Sequence, residues 1–332
     1  MSISETITGT RLVFPCQGQV RAERFAVPAV AEGEVSVRSL LSLMSTGTEN
    51  IILNGLYAAG SHWERLAKFP VYPGYSTIGV VTASRAEAFQ PGDMVALRAP
   101  HASHNVLAPN PYFVPVPAGL DPRDTAWFGL AKIAFHGARA GGCALGSKVM
   151  VIGAGPIGQM VLRWAAAAGA AQITVIDPAA DRLEMARRGG ATHTVAEPID
   201  AVVAAYAPGE KPEIVIDTTG NAQVFACALG IAADFGRVVV LGDTGFPGKQ
   251  VLTSDVMRRG LTIVGAHDIH NNLTWNNHSI SAHFFDLIQR ARFPLSGLIS
   301  HEFPGENAPD AYALVNARRA ETMGVVFTWG EA

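Results

Sequence analysis

The residues with the most pointed chemistry are the glycines of Gly153-Ala154-Gly155-Pro156-Ile157-Gly158, which follow the apolar run Val149–Ile152 and precede the helical stretch Gln159–Ala168. Between a strand and a helix, this spacing is a dinucleotide signature. Gly153 permits the tight turn, Gly155 lets the backbone approach a pyrophosphate, and Gly158 lets helix and strand pack closely. Pro156 and Ile157 stand in the turn before the helix, whose N-terminal N–H groups and dipole favour phosphate oxygens. Asp177 ends the next apolar run, 19 residues beyond Gly158. Its carboxylate can accept from ribose hydroxyls and repels a 2′-phosphate, so the expected cofactor is NAD rather than NADP. Arg182 follows closely and is expected on the adenosine side.

Histidines supply a second set of candidates. Lys132 and His136 lie one helical turn apart, so they can share a face and act as an acid/base pair toward the cofactor. His267-Asp268-Ile269-His270 runs into Asn271 and Asn272, a polar loop expected to line the substrate site; His101 and His104 form another loop pair. Neither pair has a cysteine partner, and a tetrahedral zinc site needs three or four such donors, so no protein-bound metal is expected. The sequence contains no GxSxG elbow, P-loop lysine motif or HExxH, which removes hydrolase, phosphoryl-transfer and zinc-protease chemistry.

Residues 1–125 read as short apolar runs, among them Glu34–Ser39, Ile78–Ser84 and Asp93–Leu97, broken by turns such as Pro73-Gly74 and Pro91-Gly92. From Asp124 the pattern changes to a helical stretch through Phe135. Strands expected at Val149–Ile152, Ile173–Ile176, Ile214–Asp217, Val238–Leu241 and Leu261–Val264 then alternate with helices, which indicates a parallel sheet covered on both faces. The expected fold class is α/β: a doubly wound Rossmann domain over residues 126–266 and a β-rich domain from 1–125 and 267–332.

With 332 residues, 48% hydrophobic and 16% charged, the chain is long and apolar enough for large buried cores. A net charge of −3 offers nothing to nucleic acid or an anionic membrane surface. Three widely separated cysteines, Cys16, Cys143 and Cys227, make neither a disulfide framework nor a cysteine zinc lobe, which favours a reducing cytoplasmic setting. The N-terminus lacks a basic region followed by an apolar stretch, so no leader is expected. The longest apolar segment, Met160–Ile176, is interrupted by Arg163, Gln172 and Thr174, so no membrane span is expected.

Taken along its whole length, the chain resembles the medium-chain dehydrogenase/reductase superfamily, the zinc alcohol dehydrogenase and quinone oxidoreductase group. That resemblance implies a GroES-like substrate domain built from both chain ends, with backbone at Leu241, Gly242 and Gly265-Ala266-His267 holding the nicotinamide half of the cofactor. It also implies a homodimer through apolar strands near Val238–Leu241 and Leu261–Val264. Zinc-dependent relatives carry GICGTD-like and PGHE-like segments; the matching stretches here read Met44-Ser45-Thr46-Gly47-Thr48-Glu49 and Pro73-Gly74-Tyr75-Ser76. The resemblance therefore puts Thr46, Tyr75, Ser76 and Leu130 where metal ligands stand. The STGTE segment is similar to that of the bacteriochlorophyllide hydroxyethyl dehydrogenase branch.

These likenesses imply an oxidoreductase without zinc, moving a hydride between NAD(H) and a secondary alcohol or ketone. Tyr75 is the expected acid/base, with Thr48 and Glu49 as partners and His136 as the alternative. Thr46, His101, His267, His270 and Asn271 suit a small hydroxylated substrate such as a polyol, sugar or cyclitol. Two other readings remain open at this level: an enone or quinone reductase, and a dinucleotide-binding sensor without catalysis.

Overall fold

In the computed structural model of the chain, residues 7–207 and 209–330 are described. Residues 1–6, on which part of the leader reading rests, lie outside them. The strands in chain order are β1 (Thr8–Val13), β2 (Arg21–Ala26), β3 (Val35–Leu43), β4 (Thr77–Ser84), β5 (Met94–Leu97), β6 (His104–Leu107), β7 (Phe113–Pro115), β8 (Lys148–Ile152), β9 (Gln172–Ile176), β10 (His193–Val195), β11 (Ile214–Asp217), β12 (Arg237–Val240), β13 (Thr262–Gly265), β14 (Ile299–Pro304) and β15 (Gly324–Thr328).

The chain forms two compact units. Among the described residues, the first takes those up to Gly129 together with Thr274–Gln289 and those from Ile299 onward; the second takes Leu130–Leu273 and Arg290–Leu298. The first boundary thus falls a few residues later than expected. The stretches 267–273 and 290–298 also belong with the second unit rather than the first. Their contacts give the reason. Lys132 Nζ donates to the Asp268 carbonyl, Arg163 Nε donates to the Pro294 carbonyl, and the Trp164 ring meets Phe293 edge-on at 4.9 Å.

In the second unit, six parallel strands run in the order β10-β9-β8-β11-β12-β13. Counted within the unit this is 3-2-1-4-5-6, the Rossmann order, whose switch point lies between β8 and β11. The Val/Ile runs of β8, β9 and β11 are buried along nearly their whole length, as two-faced burial requires. Helices Pro156–Ala167, Ala180–Arg188, Ile199–Ala205 and Ala222–Ile231 make the crossovers. Met150, Ile152, Val215 and Val238 pack with Phe225 and Leu229 in one core. β10 and the helix Ile199–Ala205 were not expected, because a three-residue strand with no buried position leaves no apolar run to read. Among the strands expected at a dimer edge, β13 is the edge strand, whereas β12 is hydrogen-bonded on both sides, to β11 and β13.

The first unit holds a hairpin of β1 and β2 and a sheet in the order β14-β15-β3-β4-β5-β7, with β6 paired to β3. Leu12, Phe14, Met44, Leu53 and Trp63 from the early chain pack with Tyr312, Phe327 and Trp329 from its end. Both chain ends therefore build one core. The turn-rich stretch after β3 carries two short helices, Thr48–Asn54 and His62–Leu66, where only loops were expected. Among the described residues, no helix is long and apolar enough to cross a membrane.

Candidate functional site

β8 delivers the chain into the glycine turn. Gly153 has φ +92°, in the left-handed region that favours glycine, and a Cβ there would meet Thr218 Oγ1 at 2.8 Å. Gly155 caps the helix Pro156–Ala167, and Pro156 occupies its first turn, where a missing N–H costs nothing. The turn's own carbonyls are tied down, since Thr218 Oγ1 donates to the carbonyls of Ile152 (2.9 Å) and Gly153 (3.1 Å). That leaves the amides of Ile157 and Gly158 at the helix N-terminus, where anions bind.

Asp177 stands at the end of β9 and is buried. Its Oδ2 accepts from Ala154 N at 2.8 Å and its Oδ1 from Ala179 N at 2.9 Å, while Arg182 Nη1 lies 3.8 Å from Oδ2. The carboxylate thus braces the glycine turn from below. Each oxygen still has a lone pair for a ribose hydroxyl. Gly242, just past β12, is as constrained as the turn: a Cβ would fall 2.3 Å from Gly220 N. Leu241 N and Gly242 N both donate to the Asp217 carbonyl. The carboxyl ends of β12 and β13 carry Leu241, Gly242, Gly265, Ala266 and His267, which is where the second half of a dinucleotide lies in such sheets.

Beside these ends sits the Lys132 cluster. The buried Lys132 ammonium donates to the Asp268 carbonyl at 2.7 Å and to Asp268 Oδ1 at 2.9 Å. His136, one turn along the same helix, is buried, and its Nε2 has no hydrogen-bond partner. Burial, reinforced by the Lys132 charge, lowers its pKa to about 4, against the opposing pull of Asp268 and a hydrogen bond with Asn271. His136 is therefore a neutral imidazole at ordinary pH. His270 is turned toward its own loop, where Nδ1 accepts from His267 N at 3.3 Å; His267 Nε2 lies 3.8 Å from Asp243 Oδ2.

In the first unit the structure brings Tyr75 and Thr48 together, and adds Ser45. The Tyr75 hydroxyl donates to Ser45 Oγ at 2.5 Å and is hydrogen-bonded with Thr48. Burial raises the Tyr75 pKa; the Ser45 and Thr48 hydroxyls and the Arg98 charge pull it down, and Glu49 adds to the rise. Tyr75 is thus held as a phenol, a proton donor at neutral pH.

Glu49, the other expected partner of Tyr75, acts on it through its charge. It is buried, and its carboxylate accepts from Ser45 N at 2.8 Å, from the Tyr312 hydroxyl, and faces His101 Nε2 at 3.3 Å. His101, expected at the substrate, is instead fully enclosed, with Nδ1 2.7 Å from Ser42 Oγ. Ser42 Oγ accepts from Trp329 Nε1 at 3.1 Å. An Nε2–H imidazole satisfies every partner: Ser42 donates to Nδ1, and Nε2–H donates to Glu49. Both side chains are buried, and their hydrogen bonds are met within the core. His101 is a fixture of the core rather than half of a loop pair with His104. Thr46 is likewise buried. Tyr312, Ser42 and Arg98 escaped sequence reasoning because their partners are distant in sequence: Tyr312 and Glu49 stand 263 positions apart.

The donor set at the expected metal positions does not suit zinc. Thr46 and Tyr75 offer neutral hydroxyls, and Leu130 offers nothing. Ser76 Oγ is committed to the Ala126 carbonyl (2.7 Å) and the Gly129 amide (3.3 Å). Among the described residues, no group of three or more His, Cys, Asp or Glu side chains is arranged to hold a metal ion.

A 3-2-1-4-5-6 parallel sheet with a glycine-rich turn after its first strand defines a dinucleotide-binding Rossmann unit, here paired in one chain with a GroES-like β unit. Residues 156–279 match the family model described as zinc-binding dehydrogenase. L-threonine 3-dehydrogenase of Bacillus subtilis is 34% identical over 52% of this chain and 49% of its own, so the chain matches about half the length of that relative. Rat sorbitol dehydrogenase is 24% identical over 91% of each chain. The structure of a zinc-binding-dehydrogenase-like protein from Sinorhizobium meliloti bound to NADP has a TM-score of 0.82 at 20% identity, covering 97% of this chain and 99% of that one. The chain is thus similar, in part of its sequence and throughout its fold, to zinc-type alcohol dehydrogenase-like proteins.

Proposed function

We propose that the protein is an NAD(H)-linked oxidoreductase interconverting a secondary alcohol and a ketone, that Tyr75 exchanges the proton, and that catalysis needs no zinc. The observation that carries this reading is the Tyr75 hydroxyl, hydrogen-bonded to Ser45 and Thr48 at a position where zinc-dependent relatives place a metal ligand. When bound, the nicotinamide supplies or accepts the hydride. The amides of the 153–158 turn and the Asp177 carboxylate hold the adenosine and pyrophosphate side, and backbone at Gly242 and Gly265–His267 holds the other. Tyr75 donates a hydrogen bond to the carbonyl oxygen as it gains negative charge and passes its proton there; Ser45 and Thr48 stabilise the phenolate left behind. Near neutral pH Tyr75 rests as a phenol, the form that ketone reduction uses, and alcohol oxidation uses the ionised form.

A polyol-like substrate is favoured over a plain alkanol by the likeness to sorbitol dehydrogenase over 91% of the chain. Assaying sorbitol and other polyols beside simple secondary alcohols, with zinc measured in the active protein by mass spectrometry, tests this reading. Tyr75→Phe lowers kcat by about 100-fold or more. Stoichiometric zinc in active enzyme, or full turnover by Tyr75→Phe, overturns it. The exposed β13 edge, with Phe235 and Met257 on the same unit exposed at 86% and 89%, is the surface proposed for a homodimer, read by the mass in solution.

A further inference from the structure

We propose that Arg98 is a positioning residue for the Tyr75 hydroxyl, its guanidinium stacked between the rings of Tyr75 and Tyr112 so as to fix the phenol and keep a positive charge beside it. The proposal rests on the reading of Tyr75 as the acid/base. Strand register is what assembles the three side chains. β4 pairs β5 with Thr77 opposite Leu97, and β5 pairs β7 with Leu97 opposite Phe113. One residue past each pair, the antiparallel ladder places Arg98 beside Tyr112, and Arg98 N donates to the Tyr112 carbonyl at 3.3 Å. On the other side, Tyr75 enters β4 two residues before Thr77. The Arg98 guanidinium carbon accordingly lies 4.8 Å from the Tyr75 ring centroid and 5.2 Å from that of Tyr112.

A guanidinium stays charged at any working pH and stacks flat on aromatic faces, which an ammonium does not. Two rings clamp it, so the charge has a defined place. The charged groups acting on Tyr75 are Arg98 and Glu49, and they oppose each other. Glu49 is tied to Ser45 N, Tyr312 and His101, so its charge is fixed behind the turn. Burial and Glu49 disfavour a phenolate; Arg98 offsets them and makes transient loss of the Tyr75 proton accessible. Sequence gave no sign of this, because an arginine after a strand reads as a solvated charge.

The test needs no substrate. Tyrosines labelled with 13C at Cζ titrate separately by NMR, and Tyr75→Phe identifies the resonance. In Arg98→Met the Tyr75 ionisation moves up by about one pH unit or more. Arg98→Lys keeps the charge and shows a smaller shift, with the ring resonance displaced because the stack is lost. In turnover, Arg98→Met lowers kcat about tenfold, carries the pH profile upward by the same amount, and leaves KM for the dinucleotide unchanged. Arg98→Gln serves if the methionine variant fails to fold. An unmoved Tyr75 titration in a folded Arg98 variant overturns the proposal, as does a loss of kcat with no change in pH profile. If Tyr75→Phe turns over normally while Arg98→Met still shifts the titration, the acid/base reading fails and the Arg98–Tyr75 coupling stands.

Discussion

A Cβ placed on Gly158 would fall 1.8 Å from the carbonyl oxygen of Gly153, so the first turn of the cofactor helix touches the end of β8 with no room for a methyl group. The contact is backbone to backbone, so no side chain can swing away. Gly158→Ala must push the helix off the strand. It costs about 1–3 kcal/mol or more in stability and moves the helix amides proposed to hold the pyrophosphate. Dinucleotide binding, followed by nicotinamide fluorescence, is expected to fall below detection while circular dichroism stays native-like. Unchanged affinity in Gly158→Ala would remove this turn from the binding site.

Asp177 braces Ala154 N and Ala179 N and keeps acceptor capacity for ribose hydroxyls. Its charge opposes a 2′-phosphate, and Arg182 lies close enough to compensate once the carboxylate is gone. Asp177→Ser therefore shifts the ratio of NADP to NAD efficiency by about tenfold or more, equivalent to about 1.4 kcal/mol. Steady-state kinetics with both cofactors reads it. A native enzyme that prefers NADPH would reverse the assignment of Asp177.

The Glu49 carboxylate ties Ser45 N to Tyr312 across two ends of the chain. Burial and the facing Glu49 charge raise the Tyr312 pKa well above its usual value, so this hydroxyl stays a donor. Tyr312→Phe leaves one side of a buried carboxylate without its donor, at a cost of about 1–3 kcal/mol. Urea denaturation is expected to show a lower midpoint with an unchanged slope. A neutral Tyr312→Phe would mean that water replaces the phenol and that the pair does not hold the fold.

His136 protonates near pH 4 in the folded chain and near its ordinary value of about 6.5 once unfolded. Above the upper value both states are neutral and the residue contributes no pH dependence. As pH falls from about 6.5 toward 4, the unfolded chain binds a proton the folded chain refuses, and stability drops by at most about 1.4 kcal/mol per pH unit. His136→Gln is expected to flatten this part of the stability curve. Denaturation at pH 7.5 and pH 5, both chosen as about one pH unit or more outside or inside that window, measures it. An identical slope in native and variant protein would show that the imidazole titrates normally.

The glycine turn, its strand and its helix were legible in the amino-acid order because their constraints are local. Gly153, Gly155 and Gly158 act on neighbours within one turn, and the Val/Ile runs of β8, β9 and β11 announce burial on both faces. Asp177 was found by the same logic, at a fixed distance along one strand-helix-strand unit.

The surroundings of the polar residues were decided only by folding. His101 and Glu49 read as candidates near the substrate cleft, and β3, the helix Thr48–Asn54 and the returning chain at Tyr312 and Trp329 enclose them and take up their hydrogen bonds. Arg98 carries no motif in the sequence, and only the β4-β5-β7 ladder stacks it between two tyrosines. Residue type states what a side chain can do. Whether it does so depends on its burial and on which partners arrive from 14 to 263 positions away, and tertiary packing determines both.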